Sequence, residues 1–276
     1  MRVKIVTDST SDLPQKIAEE LGITVVPLNV HFGQNSYLDG IDMTADDFYK
    51  RLLARTDFPK TSAPSPGIFK DSYEKVAGED GIVSIHISSK LSGTYEAALA
   101  GKRESADICR IEVIDSYSVS MGLGLLAIMA AKAAREGKTI DEITKLVQES
   151  TNRVYISALL ESLEFLQKGG RIGKAQAWLG SLLSIKPLIS VHEGEVVPVE
   201  RVRTRSKAIE RVYELLKEHL PAEGVAVMYS TQADEAEKLC EYVQESYPQQ
   251  QIYLSRFGPV LGTYVGPESL AAITLS

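Results

Sequence analysis

The sequence predicts an α/β protein whose N-terminal part is a mostly parallel, doubly wound sheet with a small β excursion, followed by a second α/β domain packed against it. Through about residue 139, short apolar segments alternate with longer segments of helical periodicity, which is typical of parallel strands joined by helices. Hydroxyl and carboxylate residues follow several of these strands, where such sheets bind ligands. The alternation then changes, so we predict a boundary near residue 150 and domains at 1–150 and 151–276.

The first predicted elements are a strand at Val3–Thr7 and a helix with Ile17 and Leu21 on its apolar face. Gly22 follows this helix and is expected to end it, because glycine readily takes the left-handed conformation found after helix C-termini. Polar residues follow the strand at once, which places its end at the rim of the sheet where ligands are expected.

A small β excursion is predicted within about 24–56. The segment Ile23–Phe32 has the composition of one strand, and Gly33–Gly40 contains turn residues followed by a return strand. Thr44 then opens a helix that continues through Leu53.

Two loops rich in hydroxyl residues, Lys60–Gly67 and Ser88–Tyr95, are the strongest functional signal. The second follows the strand-like segment Gly81–Ile87 and precedes a helix over Gly93–Ala100, so it lies at a strand-to-helix turn. The first turn of a helix offers unpaired N–H groups and a partial positive charge, which suit a small anionic group. The same residues would also serve as ordinary helix caps, and their pattern alone leaves both interpretations open.

The remaining elements continue the α/β pattern. A strand at Ile111–Asp115 leads into a long helix that ends near Gly137. In the second domain we predict strands at Tyr155–Leu159, Ile185–Ser190, Val196–Arg203, Gly224–Ser230 and Ile252–Phe257, with helices near 141–151, after 159, after 173 through Leu183, at 205–219 and at 233–246.

The composition is that of an ordinary globular protein of 276 residues, with 44% hydrophobic and 24% charged residues. Its net charge of −7 argues against nucleic acid or an anionic membrane surface as the main partner, because both require a net basic footprint. No apolar segment approaches the roughly 20 residues of a membrane span.

Metal and disulfide chemistry are not indicated. Cys109 and Cys240 lie far apart without a metal-binding spacing, so we expect free thiols and a reducing, cytoplasmic location. The N-terminal segment reaches an acidic residue too early for a signal peptide, which also favours the cytoplasm. None of the four histidines, His31, His86, His192 and His219, has a second ligand at metal-binding spacing.

Five short motifs, in order along the chain, resemble the DegV family of bacterial fatty-acid-binding proteins. They are Lys60–Gly67, Ser88–Tyr95, Lys168–Gly173, Ile185–Pro187 and Gly258–Thr263. The resemblance implies a two-domain α/β carrier protein, without a cofactor, that encloses one long-chain fatty acid such as palmitate, stearate or oleate. It further implies that the carboxylate is presented to a dihydroxyacetone-kinase-like fatty acid kinase, which makes acyl phosphate for phospholipid metabolism.

By motif position, the resemblance assigns Thr61 and Ser92 as the direct hydrogen-bond donors to the carboxylate. Ser62 and the backbone N–H groups of Gly93 and Thr94 are expected to assist. Such donors are required, because a carboxylate buried without partners costs several kcal/mol.

Arg171 lies between glycines, where a guanidinium can reach a carboxylate or phosphate; the alternative is a surface arginine beside a turn that the glycines dictate. Tyr264 occupies the position where the family pattern usually has histidine after Gly-Thr. A phenol still donates one hydrogen bond, but it stays neutral where an imidazole gains charge. We therefore expect carboxylate binding to survive and leave open any role of that histidine in acyl-phosphate formation.

A basic stretch is the candidate docking surface for the kinase: Arg201, Arg203, Arg205 and Lys207. A solvated face is the more frequent role of such a charge run, and electrostatic steering of an acidic partner is the alternative. We expect the protein itself to be a monomer.

An enzyme with Ser92 as nucleophile for acyl transfer or hydrolysis is the competing hypothesis. A nucleophilic serine requires an adjacent base and an oxyanion site, and the G-x-S-x-G pattern is absent around Ser92. His86 is the nearest histidine in sequence, on a predicted strand. Glycine-rich phosphate loops of nucleotide-binding proteins are also absent.

Overall fold

The protein is described from a computed structural model that covers residues 3–54, 57–78, 80–105, 108–179 and 185–276. Within these ranges the strands are β1 (Lys4–Asp8), β2 (Ile23–Val26), β3 (Asn29–Phe32), β4 (Asn35–Leu38), β5 (Lys60–Ser62), β6 (Ile82–His86), β7 (Ile111–Asp115), β8 (Val154–Leu159), β9 (Lys186–His192), β10 (Glu195–Val202), β11 (Gly224–Tyr229), β12 (Ile252–Arg256) and β13 (Leu270–Leu275). The helices are α1 (Gln15–Leu21), α2 (Ala45–Ala54), α3 (Pro66–Val76), α4 (Thr94–Glu104), α5 (Met121–Arg135), α6 (Ile140–Ser150), α7 (Glu164–Lys168), α8 (Arg205–Lys217), α9 (Ala233–Ser246) and α10 (Pro259–Val265).

The first sheet has the order β2-β1-β6-β7, and all of its strands are parallel, which confirms the predicted α/β class. Helices α3 and α4 cover one face, where Phe69 and Tyr73 are buried against Ile82 and Ala98. Helix α5 covers the other face. The carboxyl ends of β1, β6 and β7 therefore lie along one rim, as the polar residues after these strands predicted.

The second sheet is mixed and has the order β10-β9-β8-β13-β11-β12. Strand β13 lies in its centre, antiparallel to both β8 and β11. Helices α8 and α9 cover the outer face, and α5 packs against the inner face. Because α5 contacts strands of both sheets, one continuous apolar core joins them. The division into domains at 1–150 and 151–276, with an excursion at 24–56, stays a prediction.

Several predicted elements differ from the structure. The segment Ile23–Phe32 is not one strand: β2 belongs to the parallel sheet and β3 to a separate antiparallel sheet of order β4-β3-β5. Pro27 lies between them and lacks the N–H that a continuous sheet strand requires. The loop Lys60–Gly67 also contains a strand, β5, which pairs with β3. The helix predicted through Leu183 is a 3-10 helix at Gly173–Trp178 that ends before Leu179, and the part of the prediction at 180–183 lies outside the described residues.

Two elements had no counterpart in the sequence predictions, namely α10 and β13. Gly22, in contrast, ends α1 as predicted, with the left-handed φ of 67° that glycine accommodates. Within the described parts of the chain, no helix is long and apolar enough to cross a membrane.

Candidate functional site

A cavity of about 140 Å³ lies between the inner face of the six-stranded sheet and the rim of the parallel sheet. Its apolar wall comes from the sheet and from α10 and α7, and includes Ile156, Ala158, Leu166, Ile189, Val260, Leu261, Val265, Ala271 and Ile273. The polar residues that border it include Thr61, Ser62, Ser92, Arg171 and Tyr264. The structure thus brings most of the predicted site residues to one cavity.

Ser92 and Thr94 lie where β6 leads into helix α4. The Ser92 hydroxyl lies 2.8 Å from that of Thr94, and the Thr94 N–H donates to Ser92 Oγ at 3.3 Å. Gly93 precedes the helix and borders the cavity together with Ser92, whereas Thr94 is fully buried and lies behind them, outside the cavity lining. The helix N-terminus therefore faces the cavity with Ser92 and Gly93 at its mouth.

Thr61 reaches the cavity from β5 and Tyr264 reaches it from α10. The two hydroxyl oxygens lie 2.5 Å apart and share a hydrogen bond. Pairing of Thr61 with Val30 of β3 fixes the strand, and α10 begins with Pro259 at its first helical position. Ser62 also borders the cavity, and its hydroxyl is hydrogen-bonded to His31 Nε2 at 2.9 Å.

Arg171 connects these two groups of residues. Its Nε donates to the carbonyl oxygen of Leu91 at 3.2 Å, and its Nη1 donates to that of Gly169 at 2.7 Å. The guanidinium carbon lies 5.3 Å from the centre of the Tyr264 ring, within the range of a cation–π contact. No acidic side chain among the described residues pairs with Arg171, and Arg171 borders the cavity.

Two buried carboxyl groups that the sequence analysis missed hold the N-terminus of α10. The Gly258 N–H donates to Asp12 Oδ1 at 2.9 Å, and the Ser120 hydroxyl donates to Asp12 Oδ2 at 2.6 Å. Asp39 lies beside the same helix start, and a Cβ atom on Gly258 would lie 3.4 Å from Asp39 Oδ1.

Burial is the main cause of the pKa shifts of these two carboxyl groups. It raises the pKa of Asp39 to about 7 and holds that of Asp12 well above its usual range, while the hydrogen bonds oppose the shift. The contact of these carboxyl groups with the start of α10 had one indication in the sequence. The motif Gly258–Thr263 has glycine and proline at the point where the helix begins. Nothing local to Asp12 or Asp39 indicates that they meet it.

His86 does not act on Ser92. Its Nδ1 is hydrogen-bonded to Asp8 Oδ2 at 2.9 Å and its Nε2 to Ser84 Oγ at 2.7 Å, and all three side chains are fully buried. Both ring nitrogens are therefore engaged inside the parallel sheet. Ser92 is hydrogen-bonded to Thr94 instead of to a base, so the geometry lacks the pair that a serine nucleophile requires.

Three further hydroxyl residues border the cavity, namely Thr10, Ser120 and Ser190. The Thr10 hydroxyl donates to Asp8, and the Ser120 hydroxyl donates to Asp12. The hydroxyl hydrogens of Thr10 and Ser120 are thus already used in bonds within the protein. Among the described residues, no group of three or more His, Cys, Asp or Glu side chains is placed to hold a metal ion.

Only part of the predicted basic stretch is exposed at the surface. Arg205 forms a bidentate ion pair with Glu235, its shortest contact being 2.6 Å, and donates to the carbonyl oxygen of Glu268. Arg201 lies over the Trp178 ring at 5.4 Å, and both Arg203 and Lys207 are exposed. Arg205 therefore contributes mainly to the internal structure.

Comparisons with known proteins agree with this architecture. Residues 2–276 match the sequence profile of the family described as "Uncharacterised protein, DegV family". A DegV domain-containing protein of Halalkalibacterium halodurans is 37% identical over 279 aligned residues, which cover 98% of this chain and 96% of that protein.

Two solved structures have the same fold over nearly their whole length. DegV of Bacillus subtilis, described as a fatty acid binding protein, has a TM-score of 0.92 at 33% identity and covers all of both chains. A protein of Eubacterium ventriosum, described as a fatty acid (stearic acid) binding protein, has a TM-score of 0.89 at 27% identity, with 99% of this chain and 98% of that chain covered.

Proposed function

The chain belongs to the DegV family, and from this premise we propose that it binds one long-chain fatty acid, such as palmitate, stearate or oleate, in the cavity described above. The observation that carries the proposal is the composition of the cavity. Its walls are apolar side chains, and Thr61, Ser92, Arg171 and Tyr264 border it together. The descriptions of the Bacillus subtilis protein as fatty acid binding and of the Eubacterium ventriosum protein as stearic acid binding support the same ligand class.

The carboxylate would be held by Thr61 and Ser92. Each hydroxyl can donate one hydrogen bond, and a bond to a charged acceptor contributes roughly 1.5–3 kcal/mol. The Gly93 N–H at the start of α4 adds a donor, while Thr94 supports Ser92 from behind.

Three further residues would complete this head-group site. The positive charge of Arg171 supplies long-range attraction for an anion, Tyr264 supplies a neutral phenol donor, and Ser62 lies beside Thr61. For both hydroxyls to donate to the carboxylate, the present Thr61–Tyr264 hydrogen bond must be exchanged, whereas one of the two can donate while this bond persists.

The acyl chain would supply the larger part of the free energy. Each buried methylene contributes about 0.8 kcal/mol, so a dozen give on the order of 10 kcal/mol before ordering costs. The polar groups then fix the orientation of the fatty acid, because only its carboxylate is complementary to the end of the cavity that carries the hydroxyls and the guanidinium.

We propose further that the protein is a carrier rather than an enzyme. The carboxylate would be presented to a dihydroxyacetone-kinase-like fatty acid kinase, where one of its oxygens attacks the γ-phosphorus of ATP and ADP leaves, giving acyl phosphate for phospholipid metabolism. Ser92 lacks a neighbouring base, which supports a binding role for it. The exposed side chains Arg203 and Lys207, with Arg201 beside them, are the candidate docking surface. A cytoplasmic monomer fits this role.

The experiment for ligand binding is native mass spectrometry of delipidated protein mixed with palmitate, stearate or oleate. The wild type is expected to take up one fatty acid, and the double variant Thr61→Val with Ser92→Ala is expected to lose at least tenfold in affinity. A matched double variant remote from the cavity, Thr24→Val with Ser206→Ala, should bind like the wild type. Absence of uptake by folded wild-type protein would overturn the proposal.

The kinase step needs a separate test. A kinase of the stated class, ATP and fatty-acid-loaded protein are combined, and acyl phosphate is trapped with hydroxylamine as the hydroxamate. Product is expected only when both proteins are present, and it should fall when Arg203 and Lys207 are replaced by glutamate. Product formed by this protein with ATP but without the kinase would contradict the carrier role.

A further inference from the structure

The inner face of the six-stranded sheet consists of three cross-strand rows of side chains. Alternate residues of β13 point to this face, and each is paired with one residue of β8 and one of β11. The rows are Ala158, Ala271 and Met228, then Ile156, Ile273 and Ala226, and finally Val154, Leu275 and Gly224.

The proposed acyl cavity lies over the first two rows. It is bordered by Ala158 and Ala271 of the first row and by Ile156 and Ile273 of the second. A second cavity, of about 320 Å³, is bordered by Leu275 and Gly224 of the third row. Adjacent rows are two residues apart along each strand, or about 7 Å, so the second cavity begins one row beyond the end of the first.

Helix α5 leads from the first cavity to the second in the same order. Val119 and Ser120, which precede its first turn, border the acyl cavity. Leu125, Ile128 and Met129, one to two turns further on, border the second cavity. The acyl cavity therefore lies before the first turn of α5 and the second cavity lies beside the helix itself, both against the same sheet.

Close packing of α5 on the sheet separates the two cavities. A Cβ atom on Gly122 would lie 2.9 Å from Val154 Cγ1, and one on Gly224 would lie 2.9 Å from Leu125 Cδ2. Leu125 is thus seated on the bare backbone of Gly224 and is only 2% exposed. Leu125 is also the first residue along α5 that borders the second cavity.

The second cavity suits a hydrocarbon end. Leu125, Ile128, Met129, Leu146, Tyr253 and Leu275 form its apolar surface. Lys132, Glu136, Lys138 and Glu223 also border it and are exposed, so charges of both signs surround the apolar surface. The methyl end of an acyl chain would contact this apolar surface and leave the charged side chains in solvent, because burying a charged group against hydrocarbon is costly.

We propose that Leu125 limits the length of the acyl chain and that the second cavity is the distal extension for fatty acids longer than stearate. This inference rests on the proposed function, because it assumes a carboxylate at Thr61 and Ser92. Removing the Leu125 side chain joins the two spaces and admits the terminal methylenes of arachidate or behenate.

The test compares Leu125→Ala with Leu126→Ala. Leu126 is the adjacent residue of the same helix, is also fully buried, and borders neither cavity. Delipidated wild type and both variants are mixed with equimolar stearate and behenate, and bound species are quantified by native mass spectrometry. Thermal melting confirms that each variant is folded.

The wild type is expected to prefer stearate. Each additional buried methylene adds about fourfold in affinity, so Leu125→Ala should raise the behenate-to-stearate ratio at least tenfold, whereas Leu126→Ala should leave it unchanged. If Leu125→Ala does not fold, Leu125→Val should raise the ratio by a smaller factor and Leu125→Met should leave it near the wild-type value.

The outcomes separate this inference from the proposed function. An unchanged ratio in a folded Leu125 variant that still binds stearate overturns the chain-length role alone. An equal increase in Leu126→Ala also overturns it, since general loosening of the core would then be the cause. Failure of the wild type to take up any fatty acid overturns both proposals.

Discussion

The hydroxyl groups of Thr61 and Tyr264 lie 2.5 Å apart although 203 positions separate the two residues in the chain. One comes from the small antiparallel sheet and the other from the helix before the last described strand. The Arg171 guanidinium lies over the Tyr264 ring and is tied to the Leu91 carbonyl oxygen next to Ser92. A continuous set of contacts thus joins the two predicted carboxylate donors, and its members give separate tests.

Tyr264→Phe removes one donor and keeps the ring. We expect fatty-acid affinity to fall by about 2- to 10-fold, since a hydrogen bond contributes roughly 0.5–1.5 kcal/mol net. The measurement is calorimetric titration of delipidated protein with oleate. Tyr242→Phe, at an exposed ring on α9, is the control and should bind like the wild type. Equal affinity of Tyr264→Phe and wild type would show that the phenol does not contact the carboxylate.

Arg171→Ala should weaken binding by about tenfold or more at low salt, because a charge-assisted hydrogen bond contributes roughly 1.5–3 kcal/mol. The same variant should show a smaller dependence of affinity on ionic strength, since screening acts on the charge it lacks. Arg171→Lys should restore part of the salt dependence but not the full affinity, because an ammonium lacks the planar fork of the guanidinium. Titrations at two salt concentrations check both points, and an unchanged salt dependence in Arg171→Ala would exclude the electrostatic role.

Gly169→Ala tests whether the position of the Tyr264 ring matters. A Cβ on Gly169 would lie 2.5 Å from ring atom Cδ1, so the ring must move. We expect weaker fatty-acid binding and a lower melting temperature, because the Gly169 φ of −76° accommodates alanine but the Tyr264 ring must be displaced. Gly67→Ala, which meets no atom closer than 3.9 Å, is the matched control. Wild-type affinity in Gly169→Ala would mean that the ring position is not critical.

Stability should decrease as pH rises from 6 to 8. Burial raises the pKa of Asp39 to about 7, whereas in the unfolded chain this carboxyl is already ionised throughout that range. Near pH 6 the folded state therefore binds one proton more than the unfolded state. The stability that this proton contributes is lost as the pH rises through 7. For this one group the change in the free energy of unfolding is about 1.4 kcal/mol.

Asp39→Asn should flatten that pH dependence. The titratable groups around Asp39 include Asp8, Asp12 and Tyr49. Protonation of Asp12 changes the pH dependence of stability in the same direction as that of Asp39. Urea unfolding at several pH values gives the free energies, and Asp71→Asn, at an exposed position on α3, serves as control. A stability that rises between pH 6 and 8 in the wild type would contradict the prediction.

The parallel sheet was predictable because its strands and helices carry strong local patterns. Strands such as β6 and β7 are short apolar segments, and the polar residues after them mark the rim. β13 was missed because a short continuous apolar segment, Leu270–Leu275, has no alternation to distinguish a strand buried on both faces from part of a buried helix. Its antiparallel pairing on both sides depends on partners far away in sequence.

The site shows the same division. Thr61, Ser92 and Arg171 stand in local motifs, and the structure places them around one cavity. Asp12 and Asp39 give no such signal, because their role comes from contact with α10, more than two hundred residues later in the chain. Which face of α5 meets which row of the sheet is likewise set by packing alone, so neither the second cavity nor Leu125 could be identified from the sequence.

The central place of β13 in the six-stranded sheet has a consequence for synthesis. Because β8 and β11 pair through β13 and not with each other, the wall that carries Ala271 and Ile273 is absent until residue 275 has left the ribosome. A nascent chain that is stalled or truncated before this point would expose the inner faces of α5 and β8 to chaperones and proteases. Under the proposed function, a fatty acid is therefore enclosed only after residues 270–275 have joined the sheet.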